Sequence, residues 1–358
     1  MQRVLLISNV FPLENNKSRG CYVLAQAELL KSSNYDVKII NPIPFIPPFY
    51  PFFDKKFVGF KDISEIRKVN DFDVLHPKYL RFPGSLFPKF NQENIKIILS
   101  KIYNWLGDWI PDIIHLHGIH PTLSTGTIIS KKYNSKLFIT VHGWDFDIGI
   151  KNKKIKQIIK NNISNIDGIC VVNKKHFSIA KEFFPIEKIN YIPCHFDIKE
   201  EHRRKIVKFD LSSKKIKILF PANPFRKEKN YSLFLKTVKE LKRSGWEIET
   251  KFLKTNNSRD EIIQKFHWAD LVLLTSKREG GPLVTKEAVY CGTRVVCTSV
   301  GDTDEWLPSN SISKKDDCYL LAKCVENALK NNPELWKIPE RFEKVKVLEN
   351  LTNLYYKN

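Results

Sequence analysis

The stretch REGGPLVTKEA, residues 278–288, holds two glutamates, Glu279 and Glu287, on either side of a Gly-Gly-Pro corner. The run before it, Leu271–Ser276 (LVLLTS), has the composition of a buried strand, and the run after it has the composition of a short helix. Pro282 suits the first helical position, where a missing N–H costs nothing and φ is already set. The stretch therefore predicts one strand–turn–helix unit of an α/β domain.

The start of this predicted helix has the properties of an anion site. The amides of residues 281–284 have no partner within the helix, so they can point into a cleft and bind phosphate or sugar oxygens. Gly280 and Gly281 allow a ligand to approach the backbone closely. Gly292 suits the left-handed residue that ends the helix.

Glu287 lies on a predicted apolar helix face, because its neighbours one turn away are Leu283, Val284, Tyr290 and Cys291. A carboxylate in such a place needs a hydrogen-bond partner, and the vicinal diol of a ribose matches its two oxygens. Glu279, at the tip of the turn, can bind a second polyol. The two glutamates suggest a nucleotide sugar lying across the motif. The alternative for Glu287 is an ion pair with a lysine or arginine of the cleft.

The rest of the chain alternates short β-rich runs with helical segments, which predicts parallel sheets with helical crossovers. A charged segment without periodicity, residues 197–215, is the best candidate for a linker. We therefore expect two Rossmann-like domains that face each other across a ligand cleft, at residues 1–198 and 199–338, followed by a helical segment at 339–358. The predicted strands are Val4–Ser8, Val37–Ile40, Ile113–His117, Leu137–His142, Gly168–Val172, Asn190–Ile192, Ile216–Phe220, Ile248–Leu253, Leu271–Thr275 and Arg294–Thr298, with helices at Arg19–Leu30 and Lys174–Phe184 among those between them.

Composition limits the class of protein. Hydrophobic residues at 42% and charged residues at 27% describe a globular chain. No run approaches the ~18 apolar residues that a membrane-spanning helix needs, and no signal peptide is recognisable, so we expect a cytoplasmic protein. The seven cysteines are scattered without a C-x-x-C pair, which argues against disulfides and a zinc ribbon. The net charge of +20 suggests attraction to an anionic ligand or surface.

The spacing Glu279-x7-Glu287, followed by Ala288 and CGTRVVCTSVGDTDEWL, resembles the donor-site signature of retaining glycosyltransferases of family 4. The EGGP and KEA version, with VGD downstream, is most similar to the branch near the teichuronic-acid and other cell-surface polysaccharide enzymes. This resemblance extends over nearly the whole chain. It implies a GT-B fold whose last helix returns to the first domain, a nucleoside-diphosphate sugar as co-substrate, no cofactor or metal, and a saccharide or lipid-linked saccharide acceptor.

The resemblance also suggests roles for individual residues. FPANPFRKEKN (220–230) is similar to the family's first turn of the donor domain, so Arg226 and Lys229 are expected to bind the leaving diphosphate. The family usually has four residues between its Arg and Lys, and this chain has two. TVHGWD (140–145) resembles the family's H-G-x-D, which places His142 near the donor sugar. The expected catalytic residues are His142, Arg226, Lys229 and Glu279; the donor-binding residues are Gly20, Arg226, Lys229, Glu279, Gly280, Gly281, Pro282, Leu283, Val284 and Glu287; the acceptor side has Gly20, His117 and Asp145.

The proline- and phenylalanine-rich segment 42–60 (PIPFIPPFYPFFDKKFVGF) interrupts the α/β pattern, and its prolines argue against regular helix or sheet. Its rings either pack against their own domain or meet lipid or a lipid-linked substrate. The lysine-rich stretch Ile150–Asn162 lies in the same predicted domain. Together they suggest a peripheral contact with the anionic inner face of the plasma membrane.

Two other classes of function fit parts of the sequence. Another GT-B enzyme, such as a sugar-nucleotide epimerase, would share the fold, although the two-glutamate motif fits a transferase better. A nucleic-acid binder would account for the basic charge, but no helix-turn-helix, zinc finger, RRM or KH signature accompanies it, so no specific nucleic acid is expected.

His115 and His117 lie on one face of a predicted strand, a spacing that could suggest a metal site. No carboxylate or cysteine cluster accompanies them, so we expect no metal there.

Overall fold

The structure is a computed structural model that describes residues 1–14, 16–45, 60, 62–80 and 92–356. It has two main sheets, as predicted, and each of the ten predicted strands is present within one residue at either end. The first sheet has eight strands in the order β10-β9-β8-β7-β1-β2-β5-β4, and all neighbours are parallel except β4 and β5. The first half of the chain contains β1 Arg3–Ser8, β2 Asp36–Ile40, β3 Ile43–Phe45, β4 Ile66–Val69, β5 Phe72–Leu75, β6 Lys78–Leu80, β7 Ile113–His117, β8 Lys136–Val141, β9 Gly168–Val171 and β10 Ile189–Tyr191.

The second sheet has five parallel strands in the order β12-β11-β13-β14-β15. Residues 197–214, between the two sheets, contain a single 3-10 turn and no strand or α-helix. The strands are β11 Lys215–Phe220, β12 Glu247–Phe252, β13 Leu271–Leu274, β14 Arg294–Thr298 and β15 Ile312–Ser313.

Helices connect the parallel strands and cover the faces of the sheets, so the central strands are buried on both sides. Residues 4–7 of β1 and 271–274 of β13 are all fully buried. The α-helices are α1 Cys21–Ser32, α2 Gln92–Leu106, α3 Thr122–Tyr133, α4 Gly143–Asp147, α5 Lys153–Asn162, α6 Lys174–Ala180, α7 Tyr231–Arg243, α8 Arg259–Trp268, α9 Leu283–Tyr290, α10 Cys318–Lys330 and α11 Lys344–Tyr356.

The last helix, α11, belongs to the core of the first domain although it follows the second in sequence. Val347, Leu351 and Leu354 are buried in the same apolar cluster as residues of β1, α1 and β8. The hydroxyl of Tyr355 lies 2.6 Å from Nδ1 of His115 on β7. This return of the chain is the one that the resemblance implied.

Three expectations about local structure need correction or fall outside the described residues. Ile43–Phe45 forms a short strand that pairs with β6, although Pro44 is in it, because this two-stranded sheet leaves edge positions where proline needs no donor. Residues 46–59, most of the proline- and phenylalanine-rich segment, lie outside the described residues. Helix α6 ends at Ala180 rather than Phe184, and residues 181–183 continue as a hydrogen-bonded turn before Pro185.

No helix among the described residues combines the length and the apolar character that a bilayer span requires.

Candidate active site

The Gly-Gly-Pro turn lies where the two domains meet. Strand β13 ends at Leu274 and α9 begins at Leu283, with Pro282 as the N-cap, one residue before the first helical position where we predicted it. Gly292 has φ 82° and follows the end of α9, as predicted. The side-chain amide of Asn173, at the end of β9 in the first domain, donates to the carbonyl of Gly280 at 2.6 Å.

Both glycines of the turn are accounted for by contacts within the protein. A Cβ on Gly280 would lie 2.9 Å from the backbone nitrogen of Gly143, which begins α4 in the first domain. A Cβ on Gly281 would lie 3.0 Å from a carboxylate oxygen of Asp302. The first domain approaches Gly280 and Asp302 approaches Gly281, and the expected approach of a ligand to the same backbone stays a prediction. The turn is thus packed from two sides.

Lys229 and Glu279, which are 50 residues apart, form the ion pair at the tip of the turn. Nζ of Lys229 lies 2.5 Å from Oε1 of Glu279, and the hydroxyl of Ser276 donates to the same oxygen at 2.6 Å. The two side chains are only 10% and 15% exposed. Because a buried charge is stable only when it is paired, each residue holds the other in place. The structure therefore brings together two of the four predicted catalytic residues.

Arg226, the other predicted diphosphate ligand, is placed differently. Its guanidinium pairs with Glu228 at 2.7 Å and is half-exposed. The short 3-10 turn Lys227–Lys229 points Lys229 inward and leaves Arg226 beside this nearer carboxylate. Arg226 and Lys229 thus pair with different carboxylates, Glu228 and Glu279, and their joint contact with a diphosphate stays a prediction.

Glu287 has the partner that the alternative interpretation required. Its Oε1 lies 2.8 Å from a terminal nitrogen of Arg259, the first residue of α8, and its side chain is 11% exposed. Arg259 also donates to the backbone carbonyl of Asp197 at 2.5 Å. The sequence pattern does not indicate Arg259, because no periodicity relates it to the motif.

A second ion pair lies behind the Gly-Gly-Pro turn, between Lys286 of α9 and Asp302. Nζ lies 2.5 Å from Oδ2, and both side chains are 1% exposed. The lysine also lies over the ring of Phe342, 4.5 Å from its centroid. The other oxygen of Asp302 has no hydrogen-bond partner among the described residues. Sequence reasoning did not single out this pair, although KEA and VGD contain both residues.

The first domain contributes a column of stacked imidazoles. His115 and His117 on β7 stack at 5.1 Å, and His117 stacks on His142 at 5.5 Å, each pair with an interplanar angle of 11°. Nδ1 of His117 lies 3.2 Å from Nε2 of His142, which is the residue after β8. His115 is buried away from the cleft, where it contacts Tyr355 and Thr140. His117 and His142 are thus joined at the carboxyl edge of the first sheet.

The carboxylate of Asp145, which we placed on the acceptor side, accepts hydrogen bonds from two backbone amides. Its two oxygens accept hydrogen bonds from the amides of Ile119 at 2.9 Å and His142 at 3.0 Å. Burial raises the pKa of this carboxyl above its usual value. Both oxygens are engaged within the first domain, where Asp145 holds the loop of His142 in place, and its contact with the acceptor stays a prediction.

Gly20 is required by the backbone of the first loop. Its φ is 60°, and a Cβ there would lie 2.5 Å from the carbonyl oxygen of Val10. Arg19 donates to the carbonyls of Phe11 at 2.8 Å and Asn9 at 2.5 Å, and burial lowers its pKa to about 10. The guanidinium of Arg19 therefore supports the loop of Gly20.

Among the described residues, no group of three or more His, Cys, Asp or Glu side chains is arranged to hold a metal ion.

The buried histidines give a prediction about pH. Burial lowers the pKa of His115 to about 3 and that of His117 well below its ordinary value. The unfolded chain binds protons at these residues below pH ~6.5 while the folded chain does not, so stability is present above that pH and is lost as pH falls. The slope for each histidine rises to about 1.4 kcal/mol per pH unit, but at pH 6.5 only about half of each is protonated in the unfolded chain. The pair therefore lowers the free energy of unfolding by about 2 kcal/mol between pH 6.5 and 5.5. Urea unfolding at both pH values measures the loss.

The raised pKa of Asp145 acts in the opposite direction, because the folded state then holds a proton that the unfolded state releases. A matched variant for the histidine prediction is His117→Gln. It removes one of the two titrating imidazoles, so the free energy of unfolding should fall less steeply as the pH is lowered. A stability that is the same at both pH values in the unmodified protein would contradict this assignment of neutral, buried histidines.

Comparison with known proteins agrees with this geometry. The model of the family described as Glycosyltransferase Family 4 matches residues 22–200, half of the chain. The model described as Glycosyl transferases group 1 matches residues 245–344. The Bacillus subtilis protein TuaC, assigned to teichuronic acid biosynthesis as a glycosyltransferase, is 24% identical over 94% of this chain and 90% of its own length.

Solved structures agree on the fold. Sucrose-phosphate synthase from Thermosynechococcus elongatus superposes with a TM-score of 0.67 at 13% identity, covering 99% of this chain and 95% of that one. The Anabaena protein HepE, crystallised with UDP and glucose, has a TM-score of 0.65 at 14% identity, with full coverage of both chains. The chain has the predicted GT-B fold and belongs to glycosyltransferase family 4, as a group 1 glycosyltransferase that transfers a sugar from a nucleotide sugar.

Proposed function

We propose that this protein is a retaining, metal-independent glycosyltransferase that extends a lipid-linked saccharide in cell-surface polysaccharide synthesis. The observation that carries the proposal is the buried Lys229–Glu279 pair at the tip of the Gly-Gly-Pro turn, opposite His142 and the start of α4. In this position Lys229 meets the leaving diphosphate and Glu279 meets the sugar hydroxyls. His142 lies on the other side of the same boundary, where it contacts the sugar.

The proposed reaction is a substitution on one face of the donor sugar. The bond between the anomeric carbon and the phosphate oxygen breaks, and the acceptor hydroxyl oxygen bonds to the same carbon from the same face. The acceptor proton passes to the departing phosphate. Lys229 and the amides at the start of α9 stabilise the charge that develops on that phosphate. Glu279 is held by Lys229 and Ser276, so it is a hydrogen-bond acceptor rather than a nucleophile. NMR of the product's anomeric proton tests retention, and an inverted product contradicts it.

The ribose assignment of Glu287 gives a prediction. Glu287→Gln keeps the shape of the side chain and removes the charge that accepts hydrogen bonds from the diol. Binding of the nucleoside diphosphate should therefore weaken by about 1–3 kcal/mol. Isothermal titration calorimetry with UDP, GDP, dTDP and ADP measures the change. Glu249→Gln, at an exposed position of the edge strand β12, is the control and should bind as the unmodified protein does.

If folded Glu287→Gln bound the nucleotide with unchanged affinity, Glu287 would not be the residue that binds the ribose. A gain in thermal stability for Glu287→Leu, with activity retained, would instead favour a purely structural pair with Arg259.

The lipid-linked acceptor predicts contact with an anionic membrane. Helix α5 buries Ile155 and Ile159 and exposes its lysines, so it presents a positive face. Each cation near an anionic surface contributes about 1 kcal/mol of attraction. We expect salt-sensitive binding to vesicles that contain phosphatidylglycerol, little binding to neutral vesicles, and a loss of binding when four lysines are replaced with glutamine: Lys151, Lys153, Lys154 and Lys156.

The control for the vesicle experiment replaces four exposed lysines of the second domain, which should leave binding unchanged: Lys236, Lys239, Lys242 and Lys323. Equal partitioning onto neutral and anionic vesicles, or none onto either in low salt, would exclude the membrane contact. Nucleotide binding by the four-lysine variant should remain intact, because the residues proposed to bind the nucleotide, Lys229 and Glu287, are in the second domain.

A further inference from the structure

Arg259 is a cation at the donor site that the glycosyltransferase motifs do not include. It is the first residue of α8, and the preceding Ser258 caps that helix through a reciprocal pair of hydrogen bonds with Glu261, at 3.2 and 2.7 Å. The start of α8 is therefore fixed beside the cleft. The side chain of Arg259 is 41% exposed, so its guanidinium can change partner without unfolding the helix.

Glu287 is far less exposed than its partner, with 11% of its side chain accessible. Arg259 is the only cation within 4 Å of Glu287 among the described residues. Arg259 also donates to the carbonyl of Asp197, in the segment that joins the two sheets. The Arg259–Glu287 pair thus lies beside the connection between the domains.

A neutral ligand and a charged ligand affect such a pair differently. A ribose diol that binds the Glu287 carboxylate replaces the guanidinium without supplying a negative charge. The released arginine keeps its charge in a partly desolvated place, which is unfavourable unless an anion is near. In a nucleoside diphosphate the phosphates are attached to that ribose, and guanidinium binds phosphate oxygens in a bidentate manner.

We propose that Arg259 is a donor-binding residue that exchanges the Glu287 carboxylate for the diphosphate of the nucleotide when the ribose binds Glu287. This rests on the proposed function, because it assumes a nucleotide at Glu287. The exchange makes binding selective for nucleotides over nucleosides. The nucleoside alone must break the ion pair without compensation, whereas the diphosphate supplies a new partner for the arginine.

The experiment compares calorimetric binding of UDP, GDP, dTDP and ADP with that of the corresponding nucleosides. In Arg259→Met, the preferred diphosphate should bind at least tenfold more weakly, while the nucleoside should bind as well as before or more tightly. Arg259→Lys keeps the charge and should retain most of the preference for the diphosphate. The control Arg243→Met removes a surface arginine that pairs with Glu240 on α7, and should change neither affinity.

A second readout does not depend on the stability of Arg259→Met. Glu287→Gln frees Arg259, so inorganic pyrophosphate should bind this variant more tightly than it binds the unmodified protein. Equal changes for nucleoside and diphosphate in Arg259→Met, or pyrophosphate affinity that is unchanged in Glu287→Gln, would overturn the exchange. If the unmodified protein bound none of the diphosphates, the proposed donor site would fail together with the exchange.

Discussion

Replacing Lys229 with methionine should lower the turnover of sugar transfer by about 10²–10³-fold, the usual effect of removing one group that stabilises developing charge. Lys229 is the buried cation at the tip of the Gly-Gly-Pro turn, and its Nζ already lies 2.5 Å from Oε1 of Glu279. As the glycosidic bond breaks, negative charge accumulates on the departing phosphate, and the methionine cannot neutralise it. Steady-state release of nucleoside diphosphate at saturating donor measures the loss.

The matched control is Lys227→Met, because Lys227 is in the same 3-10 turn but is exposed to solvent. Its turnover should stay within twofold of the unmodified protein. Thermal unfolding of both variants separates a chemical effect from a folding defect. A folded Lys229→Met with nearly normal turnover would place the leaving diphosphate elsewhere, and Lys286 would then be the next residue to change.

Replacing Lys286 with methionine should lower the free energy of unfolding by about 3–5 kcal/mol, because it leaves the Asp302 carboxylate buried without a counter-charge. Both side chains are 1% exposed, so water cannot compensate. Burial already raises the pKa of Asp302 above its usual value, even beside the ammonium of Lys286. Urea unfolding at neutral pH measures the loss.

A double variant tests whether the loss comes from the unpaired charge. Lys286→Met combined with Asp302→Leu removes both charges, and an apolar pair of similar volume is often as stable as the ion pair. The double variant should therefore recover most of the stability that the single variant loses. If Lys286→Met cost less than 1 kcal/mol, or if the double variant were no more stable than the single one, the unpaired charge would not be the cause.

The fold was predictable from the sequence because it depends on local patterns. Buried runs such as Leu271–Leu274 are apolar over their whole length, and turn residues such as Gly292 mark where elements end. The strands that were missed, β3 to β6 and β15, have two to four residues each and lie at or next to a sheet edge or in the two-stranded sheet. They therefore lack the continuous apolar run that marks a fully buried strand. In β3, Pro44 led us to predict that the segment has no regular strand.

The site was predictable only in part, because its geometry depends on contacts between distant elements. Lys229 and Glu279 were both identified, and the structure joins them. The partner of Glu287 was not, since Arg259 reaches it from the start of α8, which is remote in sequence, rather than through any spacing in the motif. Arg226 pairs instead with Glu228, a carboxylate two residues further along the chain.

Asp145 illustrates a different limit. Its position in the H-G-x-D pattern indicates importance but does not say for what. Only the structure shows that its two oxygens accept backbone amides from two loops, Ile119 after β7 and His142 after β8. A residue can thus be required for the site by supporting it, which a sequence motif cannot distinguish from contact with a substrate.

The most direct test of the central claim is to incubate the purified protein with UDP-, GDP-, dTDP- and ADP-sugars and a panel of saccharide and lipid-linked saccharide acceptors. Nucleoside diphosphate and product are then measured together. We expect that at least one donor releases its nucleoside diphosphate and yields a glycoside with retained anomeric configuration. We also expect Lys229→Met to abolish most of this release. No release from any donor, or a free epimerised sugar nucleotide in place of a glycoside, would contradict that claim.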